Sequence, residues 1–102
     1  LARHGDHGSG DAQLLVLVSL ASGPKHGHAI LLDVEGFSGR RLGPGTLYGA
    51  IESLDKRGMI AAGPKEDRRI PYRLTDAGAA SLHARLAAIG AISRVGRARV
   101  RR

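Results

Sequence analysis

The stretch that most restricts the fold is Gly43 to Ile60, GPGTLYGAIESLDKRGMI. Pro44 carries a helical φ and lacks only an N–H that a first turn leaves free, so it predicts a helix start. Leu47, Ile51 and Leu54 recur at i, i+4 and i+7, one apolar stripe. Lys56 and Arg57 bring cations to the negative end of the helix dipole, and Gly58 suits a left-handed stop. Met59 and Ile60 then begin a strand. A helix built this way has its back in a core and its front open to a partner.

With the stripe turned inward, Gly45, Gly49, Glu52, Ser53 and Lys56 face most directly outward, and Thr46 and Tyr48 flank the first turn. Glycines there let backbone approach a ligand closely. Thr46 and Tyr48 can donate to phosphate oxygens beside the free N–H groups of the helix start. The competing role for Tyr48 is packing on the helix flank. Glu52 is expected to pair with Lys56 one turn on rather than accept from a base.

Upstream, residues 1–10 hold Gly5, Gly8 and Gly10 and show no periodicity, so a flexible N-terminal tail is expected. His4 and His7 lack a third ligand nearby. Asp11 is a suitable N-cap for a helix running to about Ala21. That helix is apolar nearly all round (Leu14, Leu15, Val16, Leu17, Val18 and Leu20), which predicts burial on more than one side. In so small a chain, one side can meet its own core and the other a second copy. Ser22-Gly23-Pro24 stops it, and His26 to Glu35 carries a second helical pattern. His26 and His28 are two apart and point to different faces, which favours surface or capping roles over a metal site. Gly36 to Arg41, GFSGRR, reads as a basic loop, either a phosphate contact or a solvated turn.

Downstream, Met59 to Ala62 and Arg69 to Leu74 read as the two strands of a hairpin, with Pro71 facing out of the ladder. Lys65, Arg68 and Arg69 stand near the hairpin tip, while Tyr72 and Arg73 serve mainly hairpin structure. Thr75 caps a last helix with the stripe Leu82, Leu86 and Ile89, continued with drift by Ile92 and Val95. Arg94, Arg97, Arg99, Arg101 and Arg102 crowd its end.

These elements predict a mainly α fold with a small β-hairpin: a winged helix-turn-helix with flanking N- and C-terminal dimerisation helices. Residues 11–78 form the DNA-binding unit, and residues 79–102 a C-terminal dimerisation helix with a basic tail. The charge agrees: 16 Lys+Arg against 9 Asp+Glu give +7, which suits a polyanion. A helix of this kind fits the major groove, and the hairpin, or wing, can lay cations along the backbone. The expected DNA-binding residues are Gly45, Thr46, Tyr48, Gly49, Ser53, Lys56, Lys65, Arg68 and Arg69. The expected dimer contacts are Leu14, Leu15, Leu17, Val18, Leu82, Leu86 and Ile89.

The chain contains no cysteine, HExxH, phosphate-binding loop or nucleophile triad spacing, so no catalytic residue, metal site or cofactor is expected. No apolar run approaches the ~20 residues that cross a bilayer. A cytoplasmic, nucleoid-associated protein is expected.

Three segments, LLVLVSLASGPKHGHAI, GPGTLYGAIESLDKRGMI and YRLTDAG, together resemble the PadR family of bacterial transcriptional regulators and span most of residues 14–78. The resemblance implies a homodimeric repressor of double-stranded DNA. It sets Thr46 and Tyr48 at the DNA-facing start of the recognition helix, the wing cations on DNA, and the first and last helices in the dimer. Glu66 and Asp67 between the wing cations depart from the pattern. With one C-terminal helix, the chain looks like the short branch of the family. Some members respond to a small-molecule effector; the lack of tryptophan and the single phenylalanine, Phe37, argue here against a stacked aromatic cage and leave an aliphatic cavity at the dimer interface. The alternative is a winged-helix module that binds protein rather than specific DNA.

Overall fold

The computed structural model describes the backbone of residues 4–101 and the side-chain surroundings of residues 10–101. The elements are α1 (His4–Leu20), β1 (Lys25–His26), α2 (Gly27–Ser38), α3 (Pro44–Lys56), β2 (Ile60–Ala62), β3 (Pro71–Leu74) and α4 (Asp76–Val100). The fold is mainly helical with a three-stranded antiparallel sheet ordered β1-β3-β2.

α3 has the expected bounds. Pro44 opens it after Gly43, whose carbonyl accepts from the Leu47 N–H at 2.9 Å. Leu47, Ile51 and Leu54 are buried, joined by Ala50. Gly58 adopts φ 75°, the left-handed conformation a glycine tolerates, and Met59 N–H returns to the Leu54 carbonyl at 2.9 Å.

α1 differs from expectation at its start. It begins at His4, so Asp11 is not an N-cap but lies inside the helix, where its carboxylate meets Arg40 at 3.3 Å. The buried half of α1 supplies the costly nucleus, and the upstream turns need only propagation. Residues 1–3 of the expected tail, and the side chains of His4 and His7, lie outside the described residues.

The core runs between α1, α2 and α3: Val16, Leu17, Ile30, Val34, Leu47 and Leu54 are all buried, with Ile60 closing it from the sheet. Ser19 is the buried polar residue there, and its hydroxyl donates to Asp33 at 2.7 Å, which satisfies it. The two-sided apolar character of α1 is thus spent largely inside one chain. Leu17 in particular is fully buried there and is unavailable to a second copy, contrary to expectation.

Two further boundaries differ. α2 runs through Gly36 and Phe37 to Ser38 and stops at Gly39, with φ 74° and its N–H bonded to the Glu35 carbonyl. Of the expected loop GFSGRR, only Gly39, Arg40 and Arg41 lie beyond the helix. Both arginines are paired, Arg40 with Asp11 and Arg41 with Glu35 at 3.4 Å, which favours the solvated turn over a phosphate contact. The sheet also gains a strand: β1 pairs with β3 through Lys25↔Tyr72 and His26↔Pro71. Pro71 therefore sits in a central strand rather than facing out of a two-stranded ladder. It is tolerated as the first residue of β3, where its carbonyl still accepts from the Gly63 N–H at 2.8 Å.

Among the described residues, α4 is tied down at its start. Thr75 caps it, its side-chain oxygen accepting from the Gly78 N–H at 3.0 Å. The Thr75 hydroxyl and N–H both reach the Met59 carbonyl, at 3.0 and 3.1 Å. Gly78 is buried against that same carbonyl, and a Cβ at this position would overlap it. Gly78 and Leu82 are the buried residues of α4. Leu82 therefore belongs to the chain's own core, not to the surface expected to meet a second copy.

Gly78→Ala should lower the unfolding free energy by about 1–3 kcal/mol, because the overlapped atom is backbone and the helix start must shift. An unchanged urea midpoint would show that α4 can move at no cost.

Candidate nucleic-acid interface

The start of α3 is open. Its N-cap, Gly43, supplies no side-chain cap, and its first turn carries no acidic residue. No side-chain cap or first-turn carboxylate therefore competes with an incoming anion for the N–H groups of Gly45 and Thr46. Gly45, Thr46 and Gly49 are exposed. Tyr48 is half exposed, and its ring packs over Gly27, where a Cβ would overlap its hydroxyl. Packing and contact are thus compatible for Tyr48: one part of the ring rests on the start of α2, the rest is free.

Farther along α3, Glu52 and Lys56 form the expected i, i+4 pair at 3.6 Å, exposed on both sides. Ser53 differs. It is half-buried and its hydroxyl accepts from Gln13 Nε2 at 3.2 Å, so it is engaged by α1 rather than presented outward.

The wing has a sharp tip. Glu66 and Arg69 bridge through both backbone bonds, Glu66 N–H to Arg69 O at 2.6 Å and Arg69 N–H to Glu66 O at 2.7 Å. Between them Asp67 and Arg68 adopt φ 48° and 68°. Two central residues at positive φ define a type I′ turn, whose usual occupants are asparagine and glycine. An arginine there sits in a conformation that L side chains avoid. Lys65, Arg68 and Arg69 are all exposed.

The start of α2, the start of α3 and the wing meet around a cleft of about 200 Å³. Tyr48 lines it from α3, Arg68, Arg69 and Ile70 from the wing, and His26 and His28 from the neighbourhood of α2. Arg69 Nη1 lies 3.2 Å from His26 Nε2. Tyr72 forms the floor. Burial raises its phenol above the ordinary value, and Tyr48 and Asp55 add to the effect, so at neutral pH it stays an uncharged hydroxyl.

The structure thus brings Tyr48, Arg68 and Arg69 together, keeps Thr46 and the two glycines on the adjoining face, and turns Ser53 aside. His26 and Gly27 join the site although neither was expected in it. Their trace in the sequence is the His-Gly pair before the second helical stripe, which becomes meaningful once β1 is seen to pair with β3. Among the described residues, no group of three or more His, Cys, Asp or Glu side chains is arranged to hold a metal ion, and no helix is long and apolar enough to cross a membrane.

Known proteins share this fold. A transcriptional regulator from Clostridium thermocellum superposes with a TM-score of 0.78 at 23% identity, covering 93% of this chain and 94% of that one. A PadR family regulator from Eggerthella lenta gives 0.73 at 26% identity over 90% and 84%. A PadR family regulator from Clostridium difficile gives 0.74 at 20% identity over 82% and 92%. In sequence, an uncharacterised 37.1 kDa protein of transposon Tn4556 from Streptomyces fradiae is 48% identical over 68 residues, 67% of this chain. The match spans 20% of that relative's length. Residues 16–84 match the family model described as the transcriptional regulator PadR-like family, a span running from α1 through the winged helix into the buried start of α4. The chain belongs to the PadR-like family of transcriptional regulators.

Proposed function

We propose that the chain is a homodimeric, sequence-specific repressor that binds a pseudo-palindromic site in double-stranded DNA, acting in the cytoplasm on the nucleoid. The observation that carries the reading is the wing tip: Arg68 occupies a left-handed position beside the exposed start of α3. A glycine would satisfy the turn better, so the arginine is explained by what its side chain does. Thr46, Tyr48, Arg68 and Arg69 then form one donor-rich face. The α3 body adds no positive charge, because Glu52 and Asp55 outnumber Lys56, which is itself paired with Glu52. Phosphate contacts at the helix start and wing therefore supply most of the affinity, and groove shape contributes to selectivity.

The dimer reading rests on α4. Beyond Leu82 its apolar side chains are exposed: Leu86 and Ile89 at 45%, Val95 at 50% and Ile92 at 71%. Leu86, Ile89 and Val100 fall on the helical line of Leu82, so one seam leaves the core and continues uncovered. A second copy of the same seam would cover it in a self-complementary contact. Leu14, Leu15 and Val18, half-buried on α1, add to that surface. Two copies would present two α3 helices to major grooves about 34 Å apart.

Arg68→Gly separates turn from contact. It should stabilise the fold by ~0.5–1 kcal/mol by removing left-handed strain, while weakening DNA binding and reducing the salt slope by about one. Equal or tighter binding of the variant at fixed salt would contradict the reading. Leu86→Glu should shift sedimentation from dimer to monomer without changing helix content; an unaltered dimer would take α4 out of the interface.

A further inference from the structure

His26 was expected to be a surface or capping histidine. It occupies the N-cap of α2, yet its side chain makes no capping bond. Its imidazole turns instead to the wing, where Nε2 lies 3.2 Å from Arg69 Nη1. A guanidinium has only donors, so Nε2 must accept. The ring is then neutral with its proton on Nδ1, and Nδ1 is buried without a partner. The other titratable or charged groups lining the cleft are His28, Tyr48, Arg68 and Tyr72, none of them a carboxylate. The backbone fixes both ends of the contact: His26 pairs across from Pro71, two residues after Arg69.

We propose that His26 is a positioning residue for DNA binding. As a neutral Nε2 acceptor it holds the Arg69 guanidinium against the cleft beside Tyr48, aimed at the phosphate that the start of α3 receives. A carboxylate here would fix the arginine too, but would neutralise it; an imidazole orients the cation and leaves its charge for the DNA. This inference rests on the DNA-binding reading above.

The test uses the full chain and one duplex selected from a random pool, at fixed salt. His26→Ala should weaken binding about 3- to 10-fold. His26→Gln, whose amide oxygen can accept from Arg69, should stay within about twofold of the parent. The double variant with Arg69→Ala should bind no more weakly than Arg69→Ala alone, because His26 acts through that arginine. Multiplicative losses, or a Gln variant as weak as the Ala variant, would overturn the proposal. A long-range proton–nitrogen correlation spectrum of the free protein gives an arm independent of DNA. The Nδ1–H tautomer is expected, and the Nε2–H tautomer would refute the contact even if DNA binding is strong. Absence of salt-dependent DNA binding by the parent chain, with the Nδ1–H tautomer present and the Arg69 contact intact, would instead overturn the functional reading and with it the role assigned to His26.

Discussion

Everything at the candidate interface depends on β3 being paired on both sides. On one side it holds β2, in the register Ile60↔Leu74, Ala61↔Arg73 and Ala62↔Tyr72, which sets where the wing leaves the core. On the other it holds β1, which carries His26 and leads directly into α2. A two-stranded hairpin alone is marginal in water. The third strand and the helical core beneath make it a fixed support. The wing cations, the start of α2 and the start of α3 thereby share one frame, and Tyr48 over Gly27 closes it from the α3 side.

The same logic governs α4. The Met59 carbonyl sits at the exit of α3, where it accepts from Thr75 twice and abuts Gly78. The C-terminal helix is therefore keyed to the end of the helix that faces outward. Any partner gripping the exposed part of α4 would orient α3 through a short, stiff connection. In the proposed dimer this coupling sets the spacing of the two recognition helices, and a ligand lodged at the α4 seam would have a mechanical route to change it.

How far the fold was legible follows from which residues carry local signals. α3 was legible at both ends because a proline start, a three-residue stripe and a left-handed glycine stop all agree. The start of α4 was legible from its own local signal, a threonine cap followed by an acidic first turn. β1 was not, since two residues have no periodicity and acquire strand character only from Tyr72 and Pro71. Gly36 reads as a loop residue yet is helical, because the packing of Ile30 and Val34 carries α2 past it. An apolar helix does not say which side meets its own core, hence the misassignment of Leu17 and Leu82. At the candidate interface, the exposure of Thr46, Tyr48 and the wing cations could be read from spacing. The turning of Ser53 toward Gln13, the strain at Arg68 and the His26–Arg69 contact arise from tertiary placement and leave no periodic trace.

In the proposed complex one continuous face, from the start of α3 across the cleft to the wing tip, receives DNA. Amide chemical-shift mapping of the full chain, titrated with its selected duplex, tests this most directly. The largest changes are expected at Gly45, Thr46, Tyr48, Gly27 and residues 65–69, weakening together as salt is raised, with small changes along Leu86 to Val95. Changes concentrated on that stretch of α4 and insensitive to salt, with the wing unaffected, would contradict it.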